Sequence, residues 1–127
     1  EHSPLLDALK WLAQRHVKVI ITTDHGTIRV KKPSKIIGDR NTNTNLRYKQ
    51  GKNLNYNGKE VFLIKNPHDA QLPKLHVSSS FVFSKDDYYF VYPNNYNHFV
   101  NYYNGTFQHG GISLEEMIIP YAVYTPK

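Results

Sequence analysis

Ile20-Ile21-Thr22-Thr23-Asp24-His25-Gly26-Thr27 is the stretch on which the reading of this chain turns. The run from Val17 to Thr22 is β-branched and nearly continuous, which predicts a strand buried on both faces, as in a parallel or mixed sheet. It ends abruptly in an acid, an imidazole and a glycine. In open α/β sheets, ligands bind outside the carboxyl ends of the strands. A carboxylate oxygen and an imidazole nitrogen both suit zinc or a similar divalent ion, and Gly26 lets the backbone turn closely around such a site. On its own the tripeptide also reads as a turn cap followed by a loop histidine, the commoner use of so short a signal.

Upstream, Ser3 and Pro4 form an N-cap and a first helical residue. Leu5, Leu6, Leu9, Leu12 and Ala13 recur at helical spacing, so a helix is predicted through about residue 15. Helix, short turn and buried strand are the grammar of an α/β layer. Downstream, Thr27 to Val30 predicts a short strand. Residues 31–60 are polar and read as one long basic loop, with Gly38, Gly51 and Gly58 as turn points. Val61 to Ile64, Phe81 to Phe83 and Tyr88 to Tyr92 predict strands, the last two joined as a hairpin at Lys85-Asp86-Asp87. Tyr96 to Tyr103 suits a short helix. Ser113 and Glu116 have the spacing of a capping box, Pro120 stops that helix, and Tyr121 to Tyr124 is a last strand.

The 127 residues suffice for one domain with a real core and are too few to expect two. No apolar run is long enough to span a membrane, so no membrane insertion is expected. The first residues, Glu1-His2-Ser3-Pro4, do not resemble a signal peptide. The absence of cysteine excludes disulfides and thiolate metal sites, and fits a reducing, cytoplasmic compartment. Lys and Arg number 16 against 10 Asp and Glu, a net charge of +6 that favours anionic partners. The chain opens without a methionine, as though cut from a longer protein.

A second constellation is Phe107-Gln108-His109-Gly110-Gly111-Ile112-Ser113-Leu114-Glu115-Glu116-Met117. Its histidine precedes two glycines that permit close approach, and the N–H groups of the helix start suit an anion. The third is the basic loop, where Lys31, Lys32, Lys35, Arg40, Arg47, Lys49 and Lys52 stand with Tyr48 and Tyr56. Cations neutralise phosphate and tyrosines stack on bases. Arg47, through its planar fork, is the first candidate for a phosphate contact, with Arg40 and Lys49 beside it. The later tyrosines, Tyr88 to Tyr103, read as packing. A solvated loop and a metal-free nucleic-acid-binding or regulatory module remain the alternatives to a catalytic site.

Taken together, the DHG tripeptide after an apolar strand and HGGISLEEM before a Pro-containing strand resemble the alkaline phosphatase superfamily, and within it the PglZ domain. TTDHGTIRV, NTNLRYK, YFVYPNN and FQHGGISLEEMIIPY are similar to the C-terminal part of PorX-type response regulators of Bacteroidota. The resemblance covers essentially the whole chain, and HGGISLEEM is its most specific part. It implies the C-terminal portion of an alkaline-phosphatase-like mixed α/β sheet with flanking helices and a hairpin-rich insertion.

The resemblance also implies a two-metal phosphodiesterase or phosphatase, usually with zinc, acting on a phosphodiester or nucleotide. Asp24 and His25 would ligate one ion and His109 the other. Receiver and helical domains would precede this part in the parent. The superfamily's Ser or Thr nucleophile, first Asp ligand and Asp-x-x-x-His pair have no counterpart before the DHG strand. The expectation is therefore that this chain alone is inactive and holds zinc partially or not at all. A core truncated on one side also predicts a homo-oligomer or strand exchange.

Overall fold

The computed structural model describes residues 3–74 and 76–126. In chain order the elements begin with α1 (Pro4–Ala13), β1 (Val19–Thr22), β2 (Ile28–Arg29) and β3 (Lys32–Ile37). β4 (Tyr48–Gly51), β5 (Asn55–Tyr56) and β6 (Val61–Ile64) follow, then a 3-10 turn at Pro67–Ala70, β7 (Ser80–Ser84) and β8 (Tyr88–Val91). The chain closes with α2 (Tyr96–Tyr103), β9 (Phe107–Gln108), α3 (Leu114–Met117) and β10 (Tyr121–Tyr124). The architecture is mixed α/β, with several small sheets and few helices. It divides into two compact units: residues 1–24 with 119–127, and residues 25–118.

The first unit is α1 and an antiparallel ribbon of β1 and β10, in the register Ile20 opposite Val123 and Thr22 opposite Tyr121. Pro4 sits at the start of α1 with Ser3 extended before it. The chain leaves the helix through His16, whose φ of 55° is left-handed and cannot continue an α-helix. The expectation that β1 is buried on both faces needs correcting. Its residues alternate between half-buried and exposed, Ile20 is 53% exposed, and α1 buries no residue. A two-stranded ribbon and one helix do not have the area to cover both faces of a strand.

The second unit holds the core. β7 is the centre of an antiparallel β4-β7-β6 sheet, and Phe81, Val82 and Phe83 are all buried, as a strand covered on both faces requires. Tyr48, Phe81 and Phe83 stack within about 6 Å of one another, which adds to their buried area. In a second sheet β3 lies between β5, antiparallel, and β8, parallel with Ser34 opposite Phe90. One apolar cluster joins Ile36, Val61, Val82 and Phe90. Another joins Ile28, Val30, Tyr89 and Val91, with Phe99, Val100 and Tyr103 of α2 against it. The Tyr89 hydroxyl donates to the Val100 carbonyl at 2.9 Å, so the buried phenol is satisfied.

Two expectations change here. The stretch 31–60 is not one loop, since β3, β4 and β5 lie within it. The turn Lys85-Asp86-Asp87 exists, with Tyr88 N–H donating to Lys85 O at 3.0 Å and Asp86 in the left-handed region. It does not close a hairpin ladder: β7 pairs with β4 and β6, while β8 pairs with β3. The turn is a corner that passes the chain between two sheets.

Candidate functional site

His25 and Gly26 of the DHG motif meet the HGG motif within the second unit. The short antiparallel ladder of β2 and β9, with Ile28 opposite Gln108, runs the chain after DHG alongside the chain before HGG. His25 and His109 end up face to face, with ring centroids 3.8 Å apart and planes 9° from parallel. His25 Nδ1 lies 2.9 Å from the Gly26 carbonyl. A donor at that nitrogen fixes the tautomer and gives the lone pair to Nε2. Gly26 N–H donates to the Glu116 carbonyl at 2.9 Å. A Cβ on Gly26 would run into the Glu115 carbonyl oxygen. The glycine in DHG is thus required by close approach to the chain around α3.

His109 is held through its backbone. Asn45 Nδ2 donates to the His109 carbonyl at 3.3 Å, while Asn45 Oδ1 accepts from the N–H groups of Arg47 and Tyr48 at 2.7 and 3.2 Å. Gly110 has a φ of 98°, open to glycine and strained for other residues. Beyond it, Glu116 Oε1 accepts from Gly111 N–H at 2.9 Å and Oε2 from Ser113 N–H at 3.3 Å. The capping-box glutamate therefore takes the N–H groups that the sequence offered to an external anion.

Arg47 completes this anchor. Its Nε donates to Glu116 Oε1 at 2.9 Å and its Nη2 to Oε2 at 3.0 Å, a bidentate pair. The remaining guanidinium contacts go to the carbonyls of Asp86, at 2.9 Å, and Tyr88. Arg47 has no exposed surface and Glu116 is 4% exposed. Burial pushes the Glu116 carboxyl up, but the Arg47 hydrogen bond and charge, with the Gly111 N–H, outweigh it and hold the group below its ordinary value of 4.5. A depressed carboxyl contributes stability that is complete above the unfolded value and lost as pH falls through the folded one. Acid titration of the unfolding free energy is expected to drop below about pH 4.5 in the native chain, and Glu116→Gln to lack that step. Parallel curves for the two proteins would contradict it.

The remaining expected site residues are scattered. Asp24 closes the first unit, one residue before His25. Arg40 is exposed in the turn after β3. Arg47 and Lys49, expected to face a phosphate, are instead buried, Lys49 at 1% exposure with its Nζ donating to the Asn43 carbonyl at 2.9 Å. Their charges are spent inside the fold because a carboxylate or carbonyl waits there. Among the described residues no cluster of three or more His, Cys, Asp or Glu side chains is arranged to hold a metal. Sequence reasoning missed Asn45 altogether and saw in Glu116 only a helix cap.

An open groove of about 900 Å³ begins at Thr27, two residues beyond His25. Arg29, Lys31, Lys32 and Lys85 line it with the exposed rings of Phe62 and Phe107. Three of these cations are engaged: Arg29 Nε donates to the Gly105 carbonyl at 2.9 Å, Lys32 pairs with Asp87 at 2.8 Å, and Lys85 Nζ donates to the Lys59 carbonyl at 3.4 Å. Arg29 and Lys85 lay outside the cation cluster read from the sequence.

His25 of the DHG turn and His109 of the HGG loop are thus stacked in a mixed α/β chain. Residues 3–124 match the family described as the BREX system PglZ alkaline phosphatase-like domain. The chain belongs to the PglZ family. No curated protein matches it. Among the described residues no helix is long and apolar enough to cross a membrane.

Proposed function

We propose that the chain is part of a two-metal, zinc-dependent phosphodiesterase or phosphatase that acts on nucleotide or oligonucleotide phosphodiesters. The parent is a cytoplasmic signalling protein of the PorX type with receiver and helical domains. Asp24 and His25 hold one ion and His109 the other, and the nucleophile and further ligands come from outside these 127 residues. The observation that carries this reading is the histidine stack. An imidazole ligates in its own plane, so two nearly parallel rings 3.8 Å apart cannot converge on one ion, whereas they suit two.

When bound, such ions activate the nucleophile and stabilise the leaving oxygen of an in-line displacement. The chain's own residues orient the ligands: the Gly26 carbonyl fixes the His25 tautomer, and Asn45 with Glu116 holds the loop of His109. Arg40 and Lys31 are among the exposed cations that can meet a phosphate. With Arg47 and Lys49 buried, the metal-free nucleic-acid-binding alternative loses two of its contacts.

Zinc titration of the 127-residue chain, followed by the ring resonances of its seven histidines, tests the reading. Weak, selective perturbation of His25 and His109 is expected, with His109→Ala abolishing only its own part. Equal perturbation of all histidines, or perturbation centred on histidines other than His25 and His109, would overturn it.

A further inference from the structure

The chain holds the same tripeptide twice, Tyr56-Asn57-Gly58 and Tyr103-Asn104-Gly105, and the fold treats the two copies differently. An asparagine side-chain amide is open to attack by the main-chain nitrogen of the next residue, most of all before glycine, where no Cβ stands in the way. Because the local sequence is shared, any difference between the two sites in the folded chain comes from how each is held.

Asn57, Gly58 and Lys59 are exposed in the turn between β5 and β6, which Glu60 N–H closes by donating to the Asn57 carbonyl at 3.1 Å. Asn57 Oδ1 accepts from Lys59 N–H at 3.2 Å, the two-residue span of an Asx turn, so the carboxamide folds back over its own main chain. Its Nδ2 donates to Glu60 Oε1 at 2.6 Å, which sets the way the carboxamide faces. The Lys59 N–H is therefore aimed at the oxygen on which negative charge develops when a nucleophile adds to Cγ. An added Cβ on Gly58 would meet nothing within 4 Å, so the fold leaves that residue uncrowded. At the second copy the peptide is pinned on both sides. Gly105 N–H donates to the Val30 carbonyl at 2.7 Å, and the Gly105 carbonyl accepts from Arg29 Nε at 2.9 Å. The Gly105 nitrogen must give up its bond to Val30 before it can turn on Asn104.

We propose that Asn57 is a site of spontaneous deamidation in the folded chain, and that the fold protects Asn104 from the same reaction. The Gly58 main-chain nitrogen gives up its proton and bonds to Asn57 Cγ. The Cγ–Nδ2 bond breaks, and Nδ2 takes up a proton and leaves as ammonia. The resulting succinimide adds one water at either of its carbonyls, which gives aspartate or isoaspartate at position 57. Either product carries a carboxylate where Asn57 offered Glu60 a neutral donor, so like charges now meet and the turn opens. Lys85 is the next residue to feel it. Its N–H donates to the Glu60 carbonyl at 3.0 Å and its Nζ to the Lys59 carbonyl at 3.4 Å, and it lines the open groove.

The test is incubation of the 127-residue chain in warm, mildly alkaline buffer, with the two Asn-Gly steps followed by peptide mass spectrometry. Asn57 is expected to deamidate at least roughly tenfold faster than Asn104 in the folded chain, the effect on a rate of one main-chain hydrogen bond that must break first. In denaturant the two rates should converge, since the tripeptides are identical. Gly58→Ala puts a methyl group into open space, so it should fold as the native chain does and deamidate several-fold more slowly at Asn57. Should that variant fail to fold, the comparison of native and denatured chains still decides. Equal rates at the two sites in the folded chain, a difference that persists in denaturant, an undiminished rate in folded Gly58→Ala, or an Asn57 that stays intact while the denatured chain reacts would each overturn the proposal.

Discussion

Arg47→Ala is expected to lower the unfolding free energy by about 3–5 kcal/mol, the cost of removing one partner from a buried ion pair. The mechanism is the stranded carboxylate. Glu116 keeps its burial and loses the bidentate fork that balanced it. Against the roughly 5–15 kcal/mol of net stability typical of a domain, that loss is a large share of the total. Denaturant unfolding of native and variant chains measures it directly, and a difference under about 1 kcal/mol would show that the pair is not what closes this part of the fold. Arg47→Met combined with Glu116→Leu makes a sharper comparison. Replacing both ions by apolar groups is often neutral or stabilising, so the double variant should recover much of the loss. It cannot restore the acceptor for Gly111 and Ser113 N–H, so the His109 ring resonances should still shift.

That experiment also marks where the sequence stops being legible. α1, α2, β6 and β10 were readable because their signals are local: a proline at a helix start, a period of apolar residues, a β-branched run. The strands within 31–60 were not, because Ser34 and Lys49 share their inward positions with Ile36 and the buried Arg47 stands just before β4. Those side chains can be buried only because partners arrive from elsewhere, and Glu116 lies 69 residues after Arg47. A basic, polar stretch therefore looks like a solvated loop until its acceptors are in place. The corner at Lys85-Asp86-Asp87 failed differently. Its turn chemistry was correct, but pairing of the flanking strands is decided by which neighbours each finds. β1 has the composition of a doubly covered strand and lacks cover within its own unit. At the candidate site, the residue types in DHG and HGG were legible, while the stacking of His25 on His109 was set by the β2–β9 ladder and the Asn45 and Glu116 anchors.

Gly26→Ala is expected to destabilise the second unit by about 1–3 kcal/mol, in the range of forced overpacking, and to separate the two histidine rings. Gly26 is not in the left-handed region, so the reason is contact and not backbone freedom. The added Cβ would collide with the Glu115 carbonyl oxygen and stand 3.1 Å from that of Ile118. Both are backbone atoms, which cannot swing aside as the end of a flexible side chain does. Relief requires the DHG turn to move away from the chain around α3, which lengthens the Gly26 N–H bond to the Glu116 carbonyl and carries His25 with it. Gly58→Ala is the matched control, since nothing lies within 4 Å of a Cβ there. Paired denaturation curves measure the stability difference, and the ring-proton shifts of His25 and His109 report the loss of stacking. If Gly26→Ala unfolds with the native chain and keeps those shifts, the glycine of DHG is not what brings the histidine of one motif onto the histidine of the other.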